Sequence, residues 1–472
     1  MGRPLAAAAP RAGLLLLAGL AGASAGPVPL VAVSGVDDQT MSDYCAAAGF
    51  GELGARYATL QHDLAPGMRR YNAFWSAAES SPPFPAGSPP AACPPGTMLV
   101  PDGGEPARVA RGYRAYHCYS APFVAAFDDY LALDAQIGAA SAFIVYGSPP
   151  WARTAGCTGF PWGKDMYQEG CLPWGHLDAW FDYILFLTER WSAPWGSGKA
   201  RLSHLVIWNE VQSMGWADPS PVLPNRWAGA PWSAAQLSLY TAMIANLTLL
   251  AGAAARVNSG EGMMLWLSTD HFTTAPPLQH GDVGHIGLYD LLPPMMELVG
   301  TGLDWGVAVH PYDAGDPRAN LTAQGVYTFA TLKEAVADVQ CALLTKTGLP
   351  PSACASAPQT LMYASEQGWP FNAKTMNKTT QARNICLAHE LSLAQAVYAV
   401  THNFFQAPAP TSQGDAGDFS LLDYVLPVGP LFPNLTNGRG HATYDAYAAL
   451  NPAVWGKTSA HYCCTAWGVG CA

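Results

Sequence analysis

Two glutamates each close an apolar run in this sequence. Glu210 ends "LVIWNE" and Glu366 ends "LMYASE". A run that only fills a core has no use for a carboxylate at its end, but a strand opening into a site does. Two carboxylates brought face to face can open an acetal. One attacks the anomeric carbon while the other protonates the leaving oxygen and later takes a proton from water. At about 5 to 5.5 Å between the two groups, the configuration at that carbon is retained. The acid must hold its proton near neutrality, which burial and a neighbouring carboxylate both favour until the nucleophile is esterified.

For the two glutamates to meet, the chain must bring distant runs to one place. Short β-rich runs lie at 28–35, 67–75, 142–147, 202–208, 263–270, 303–310, 360–366 and 398–405. Several are apolar on both alternations, as parallel strands covered on both faces are. Helical spacing fills 127–140, 178–191, 233–255, 328–344 and 381–397. Strands alternating with helices in this number predict an α/β fold, a (β/α)8 TIM barrel, with residues 26–472 as a single domain. Glu210 then closes the fourth strand and Glu366 the seventh, on nearly opposite sides of one mouth. Loop insertions are expected at about 79–106, rich in Pro, Gly and Ser, and at 406–440. A doubly wound open sheet is the alternative architecture, but no Gly-rich turn follows the first strand.

The N-terminus predicts export. Arg3 and Arg11 precede "LLLLAGLAG", and "ASA" at 23–25 offers small residues for cleavage, so 1–25 reads as a signal peptide. No later apolar stretch of spanning length is evident, so a protein without stable membrane insertion is expected in the secreted or endomembrane-lumen compartment. Four sequons agree with that route, at Asn246, Asn320, Asn377 and Asn434. Eleven cysteines without CxxC spacing suggest disulfides rather than zinc, with the tail "YCCTAWGVGC" stapled to the body. Adjacent Cys463 and Cys464 should each bond elsewhere. A net charge of −11 argues against nucleic acid and anionic membrane surfaces. The 16 tryptophans and 20 tyrosines suit stacking on sugar rings. Nothing in the sequence calls for a cofactor or a metal: HExxH, Walker and EF-hand patterns are missing.

Taken together, "IWNE" closing a fourth strand and "SEQGW" closing a seventh resemble clan A of the glycoside hydrolases. The resemblance implies a retaining (β/α)8 enzyme with Glu210 as acid/base and Glu366 as nucleophile. Asn209 would hydrogen-bond the 2-hydroxyl of the reacting sugar. "VAVHPYDAG" is similar to the clan's His-x-Tyr pair, so Tyr312 would aim the nucleophile and His310 would sit near the acid/base. "MRRYNAFW" resembles the clan's second strand, which implies Arg70 beside the nucleophile and Trp75 five positions on, with Arg69 and Arg56 as rivals for the cation. The clan's strand-eight tryptophan is replaced by "THNFFQ", which leaves Phe404, Phe405 or Trp369 to supply the floor under the sugar.

These expectations describe a secreted, disulfide-bonded glycoprotein that hydrolyses a β-linked glycosidic bond in an oligosaccharide, polysaccharide or small glycoside. Two alternatives use the same scaffold. A catalytically silent glycan-binding protein would keep the aromatic stacking but lose the carboxylate geometry. A transglycosylase would let a sugar intercept the glycosyl-enzyme instead of water.

Overall fold

The computed structural model describes residues 33–37, 67–154, Cys157, most of 170–346, 361–369, most of 377–403 and most of 442–471. Its strands are β1 (Val33–Asp37), β2 (Met68–Phe74), β3 (Thr97–Val100), β4 (His117–Ser120), β5 (Ala140–Tyr146), β6 (Leu202–Ile207), β7 (Met264–Ser268), β8 (Phe272–Thr273), β9 (Trp305–Val309), β10 (Val326–Tyr327), β11 (Met362–Gln367) and β12 (Ala399–Asn403). The helices are α1 (Trp75–Ala78), α2 (Gly104–Arg111), α3 (Ala121–Ile137), α4 (Leu177–Trp191), α5 (Ala234–Ser259), α6 (Leu288–Val299), α7 (Leu332–Lys346), α8 (Lys378–Ala394), α9 (Ala442–Ala448) and α10 (Tyr462–Trp467).

Eight strands close into one parallel barrel in the order β1, β12, β11, β9, β7, β6, β5, β2. Each overlaps one of the eight runs read from the sequence. Registered neighbours on adjacent strands face the same way, so the pairings Asn72↔Ile144, Ile144↔Val206, Val206↔Trp266 and Trp266↔Gly306 trace one inner layer. Trp266 fills that layer. A Cβ on Gly306 would come within 2.6 Å of its ring, so only glycine fits opposite it. On the outer face Tyr71 and Phe143 meet Phe127 and Tyr130 of α3. The core therefore lies in two shells, one inside the barrel and one between strands and helices.

Between β7 and β9 the structure adds α6, which contains Pro293 and Pro294. Interior prolines remove a helix hydrogen bond and clash with the preceding turn, so periodicity alone gave no helix there. The Glu79–Pro106 stretch also differs from the irregular insertion expected. It carries β3 and the start of α2, and β3 pairs antiparallel with β4. A Cys93–Cys118 disulfide ties this small lobe together. Segments 1–25 and 406–440 lie outside the described residues.

The tail is stapled as expected. Cys463 bonds Cys386 on α8, and Cys464 closes a short loop to Cys471. The expectation that no later stretch could span a membrane needs correction: Ala234–Asn258 of α5 is long and apolar enough by length and composition. One face explains that composition, since Tyr240, Ile244, Leu247, Ala251 and Ala254 are buried in the core.

Candidate active site

The second strand separates its two arginines by the alternation of a β-strand. Arg69 points outward, where Nη1 donates to Asp134 Oδ1 at 2.7 Å and Tyr71 donates to the same oxygen at 2.8 Å. Arg70 points inward, and its Nη2 lies 3.1 Å from Glu366 Oε2. Arg70 is therefore the cation beside Glu366, and Arg69 is taken up by the helix layer. Arg56 lies outside the described residues.

Glu366 reaches this position through an irregularity. Tyr363 and Ala364 pair with Ala399 and Val400, but the next partner of β12, His402, pairs with Gln367. Three residues of β11 thus advance against two of β12, as in a bulge. The Tyr363 ring faces Trp266 inside the barrel at 5.3 Å. Plain alternation would turn Ser365 inward after it, and the extra residue turns Glu366 to meet Arg70.

Glu210 is held by backbone geometry. Trp208 and Glu210 both have positive φ, 62° and 41°. Non-glycine residues in this region cost on the order of 1–3 kcal/mol each and cluster at functional sites. The strand end is clamped by its neighbour: Glu210 N donates to Ser268 Oγ and Val211 N to Ser268 O, both at 3.1 Å.

His310, just past the sixth barrel strand, joins the two sides. It is fully buried, with Nδ1 2.7 Å from Glu210 Oε1 and 3.6 Å from Glu366 Oε2. Those two carboxylate oxygens can be no farther apart than the sum of the two distances, 6.3 Å. The side chains of Glu210 and Glu366 keep 13% and 21% of their surface exposed, so both reach the mouth.

Amides complete the picture. Asn209 is 5% exposed, and its Oδ1 finds no hydrogen-bond partner among the described residues. Asn72, 9% exposed, is in the same position with its Nδ2. It stands two residues beyond Arg70 on the inward face of β2. Phe74 follows on that face and packs on Tyr146 at 4.7 Å, and Tyr146 meets Trp216 edge-on at 6.4 Å. Sequence reasoning missed Asn72, although the alternation from Arg70 would have found it.

Two tryptophans behave differently from expectation. Trp75 is fully buried, stacks on Tyr183 and donates its indole N–H to Glu79 Oε2 at 2.9 Å. It packs behind the strand and does not line the mouth. Trp369 is 2% exposed and packs near Phe329, its carbonyl accepting from Gln381 at 2.7 Å. Tyr312, Phe404 and Phe405 lie outside the described residues. One cluster with metal-ligand spacing occurs among the described residues, Cys157, Cys171 and Asp218. Its two sulfurs are joined in a disulfide and offer no thiolate.

No protein-family model matches the chain, and no curated protein does. Solved structures do. A family 39 glycoside hydrolase from Bacteroides cellulosilyticus aligns over 89% of this chain and 63% of its own, with TM-score 0.48 and 13% identity. An exo-β-1,4-mannosidase from an Opitutaceae bacterium aligns over 90% and 60%, with TM-score 0.45 and 12% identity. A family 1 β-glucosidase from Thermotoga maritima aligns over 84% and 94%, with TM-score 0.44 and 10% identity. The chain spans less than two thirds of the length of the first two.

Proposed function

We propose that this protein is an exported glycoside hydrolase that cleaves a β-linked glycosidic bond with retention of configuration. The observation that carries the reading is the bridge through His310, which holds one oxygen of Glu210 within 6.3 Å of one oxygen of Glu366. Inverting enzymes need about 6.5–9.5 Å between carboxyl groups to seat a water, whereas retaining ones need about 5–5.5 Å. The β linkage follows from the clan resemblance of the strand ends, and export from the leader at 1–25.

In the first step Glu366 attacks the anomeric carbon, and the bond from that carbon to the leaving oxygen breaks. Glu210 gives its proton to that oxygen. Arg70, 3.1 Å from Glu366 Oε2, favours the ionised nucleophile and fixes its aim. Once the ester has formed, the negative charge facing Glu210 is gone, and its carboxylate takes a proton from an incoming water. That water attacks the same carbon, and Glu366 leaves. His310 fixes the rotamer of Glu210 through both halves of the cycle. Asn209 and Asn72 offer hydrogen bonds to hydroxyls of the reacting sugar, and the Phe74–Tyr146–Trp216 aromatics form an apolar wall beside them.

A screen of aryl β-glycosides against the wild type and Glu366→Ala, with and without azide, tests the reading. Wild type should turn over at least one sugar, and the variant should be inactive alone. Azide should restore turnover and give a glycosyl azide of inverted configuration. Hydrolysis by Glu366→Ala without azide would remove that residue from the mechanism. Binding of glycans without turnover of any of them would assign the mouth to recognition alone.

A further inference from the structure

Helix α5 presents two faces, and only one is explained by the fold. Its outward side carries Leu239 at 57%, Leu249 at 36% and Val257 at 54% exposure, with Ala242 and Ala253 between them. At 1.5 Å per residue this stripe runs about 27 Å. Between Ser238 and Arg256 the single polar residue exposed on it is Asn246. Large continuous apolar surfaces on a folded protein mark something that covers them.

We propose that the cover is an N-linked oligosaccharide on Asn246. The sequence there is Asn246-Leu247-Thr248, an acceptor sequon. Asn246 breaks the local rule of this helix as the one amide on its apolar outer stripe, whereas Thr248 is held as Thr241 is, by a bond to a carbonyl one turn back. Asparagine and threonine are poor formers of a helix interior. Thr248 lies on the buried face among apolar neighbours, fully enclosed, with Oγ1 donating to Ile244 O at 3.0 Å. A valine would fill that space without a hydroxyl to satisfy. A polar residue that interrupts an apolar stripe without a packing gain points to function, and Asn246 with Thr248 is the pair a glycosyl transfer needs. The alternative cover, a second copy of this chain, would enclose the Asn246 amide in an apolar interface at the cost of its hydrogen bonds to water.

The transfer uses a lipid-linked oligosaccharide as donor and a host transferase. The Asn246 amide nitrogen displaces the polyprenyl diphosphate from C1 of the donor sugar. One C–N bond forms, one C–O bond breaks, and the amide gives up a proton. The Thr248 hydroxyl is sealed in the finished helix, so transfer precedes folding of α5. The bulky, hydrated glycan then stands over the stripe and keeps other apolar surfaces away.

This assignment rests on the export reading, and the other sequons separate the two. Asn320 and Asn377 are both exposed. Asn320 Oδ1 accepts from Thr322 N at 3.1 Å and from its hydroxyl at 2.7 Å, in a surface turn. The full chain with its leader is expressed in a eukaryotic secretory host and treated with a peptide:N-glycosidase in heavy-oxygen water. Peptide mapping then reads each sequon. Labelled aspartate at 246 is expected, lost in Asn246→Gln and Thr248→Val and kept in Thr248→Ser. Light scattering on a sizing column should show the first two variants associating, and Leu239→Ser with Leu249→Ser should return Asn246→Gln to the monomer. Labelling at 320 or 377 without labelling at 246 overturns the glycan. Labelling at 246 with fully monomeric Asn246→Gln overturns its covering role. Labelling nowhere overturns the export reading, and this assignment with it.

Discussion

The molecule holds a histidine between two carboxylates in two places. In the barrel mouth His310 lies 2.7 Å from Glu210 and 3.6 Å from Glu366, whose side chains remain 13% and 21% exposed. In the β3–β4 lobe His117 lies 2.7 Å from Glu79 and 3.0 Å from Asp182, and all three are fully buried. The lobe triad is saturated. Glu79 also accepts from the Trp75 indole, and Asp182 accepts from the backbone N–H groups of Arg114 and Ala115. The mouth triad sits on strained backbone beside amides that lack partners among the described residues. Three side chains of the same kinds thus make a staple where every polar atom is matched and water is shut out. Where surface and hydrogen-bonding capacity are left over, the same kinds of side chain stay open to a ligand. Buried polar groups that are fully satisfied specify structure, and unsatisfied ones wait for a ligand.

Removing a carboxylate from each triad should separate these roles most sharply. Glu366→Ala should lower turnover on the order of 10⁴-fold or more, the scale seen when a covalent nucleophile is deleted. Its urea midpoint should stay near wild type, because Glu366 is partly hydrated already. Glu210→Ala should cost about 10²–10⁴-fold, with the loss concentrated on substrates whose leaving groups need a proton. Glu79→Gln should do the reverse, leaving kcat within a few-fold while stability drops by about 3–5 kcal/mol, as when one member of a buried ion pair is removed. Activity falling in proportion in all three variants would mean that the two triads do not differ in kind.

The lobe triad should also set a pH dependence. Burial alone would push the His117 pKa down, but the Glu79 charge and the hydrogen bonds to both carboxylates outweigh it and hold it up to about 9. A raised folded pKa gives stability that is fully present below the unfolded value, about 6.5, and lost as pH rises through 9. The difference corresponds to about 3 kcal/mol. Urea midpoints measured from pH 6 to pH 10 should fall between about pH 6.5 and pH 9 in the wild type and stay flatter in His117→Gln. Parallel curves for the two proteins would show that the imidazolium contributes nothing.

The two triads were unequally legible in the sequence, and the reason is physical. Glu210, Glu366 and His310 stand at or just past the C-terminal ends of apolar strands, so the barrel's symmetry alone implies that they converge, and Arg70 joins them from the inward alternation of β2. Glu79, His117 and Asp182 sit in a Pro-rich segment, a four-residue strand and the middle of a helix, and no periodicity links such places. Their meeting depends on how the lobe folds back over α4, which is tertiary information. Trp75 illustrates the same limit. Its spacing from Arg70 was visible, but Glu79 and Tyr183, which draw it into the packing, were not. The choice between Arg69 and Arg70 needed only alternation and the position of Asp134. The bulge that turns Glu366 inward could not be read at all, since it is a count of residues against a partner strand.

The smallest expected effect concerns the mouth's spare hydrogen-bonding capacity. Asn72 lies between Arg70 and Phe74 on one inward face, enclosed except for 9% of its surface, and its Nδ2 lacks a partner among the described residues. A substrate hydroxyl that accepts from this amide would repay a desolvation already incurred. Asn72→Ala should lower kcat/KM by about 10–100-fold, the range for one hydrogen bond in a site from which water is excluded. The loss should depend on the sugar. In a series of monodeoxy glycosides, one member should already be poor with the wild type and lose nothing further in the variant. That coupling distinguishes a contact to a named hydroxyl from general loosening of β2. An Asn72→Ala loss that is the same for every deoxy sugar, accompanied by a lowered urea midpoint, would move Asn72 from the mouth triad's company into the structural one's.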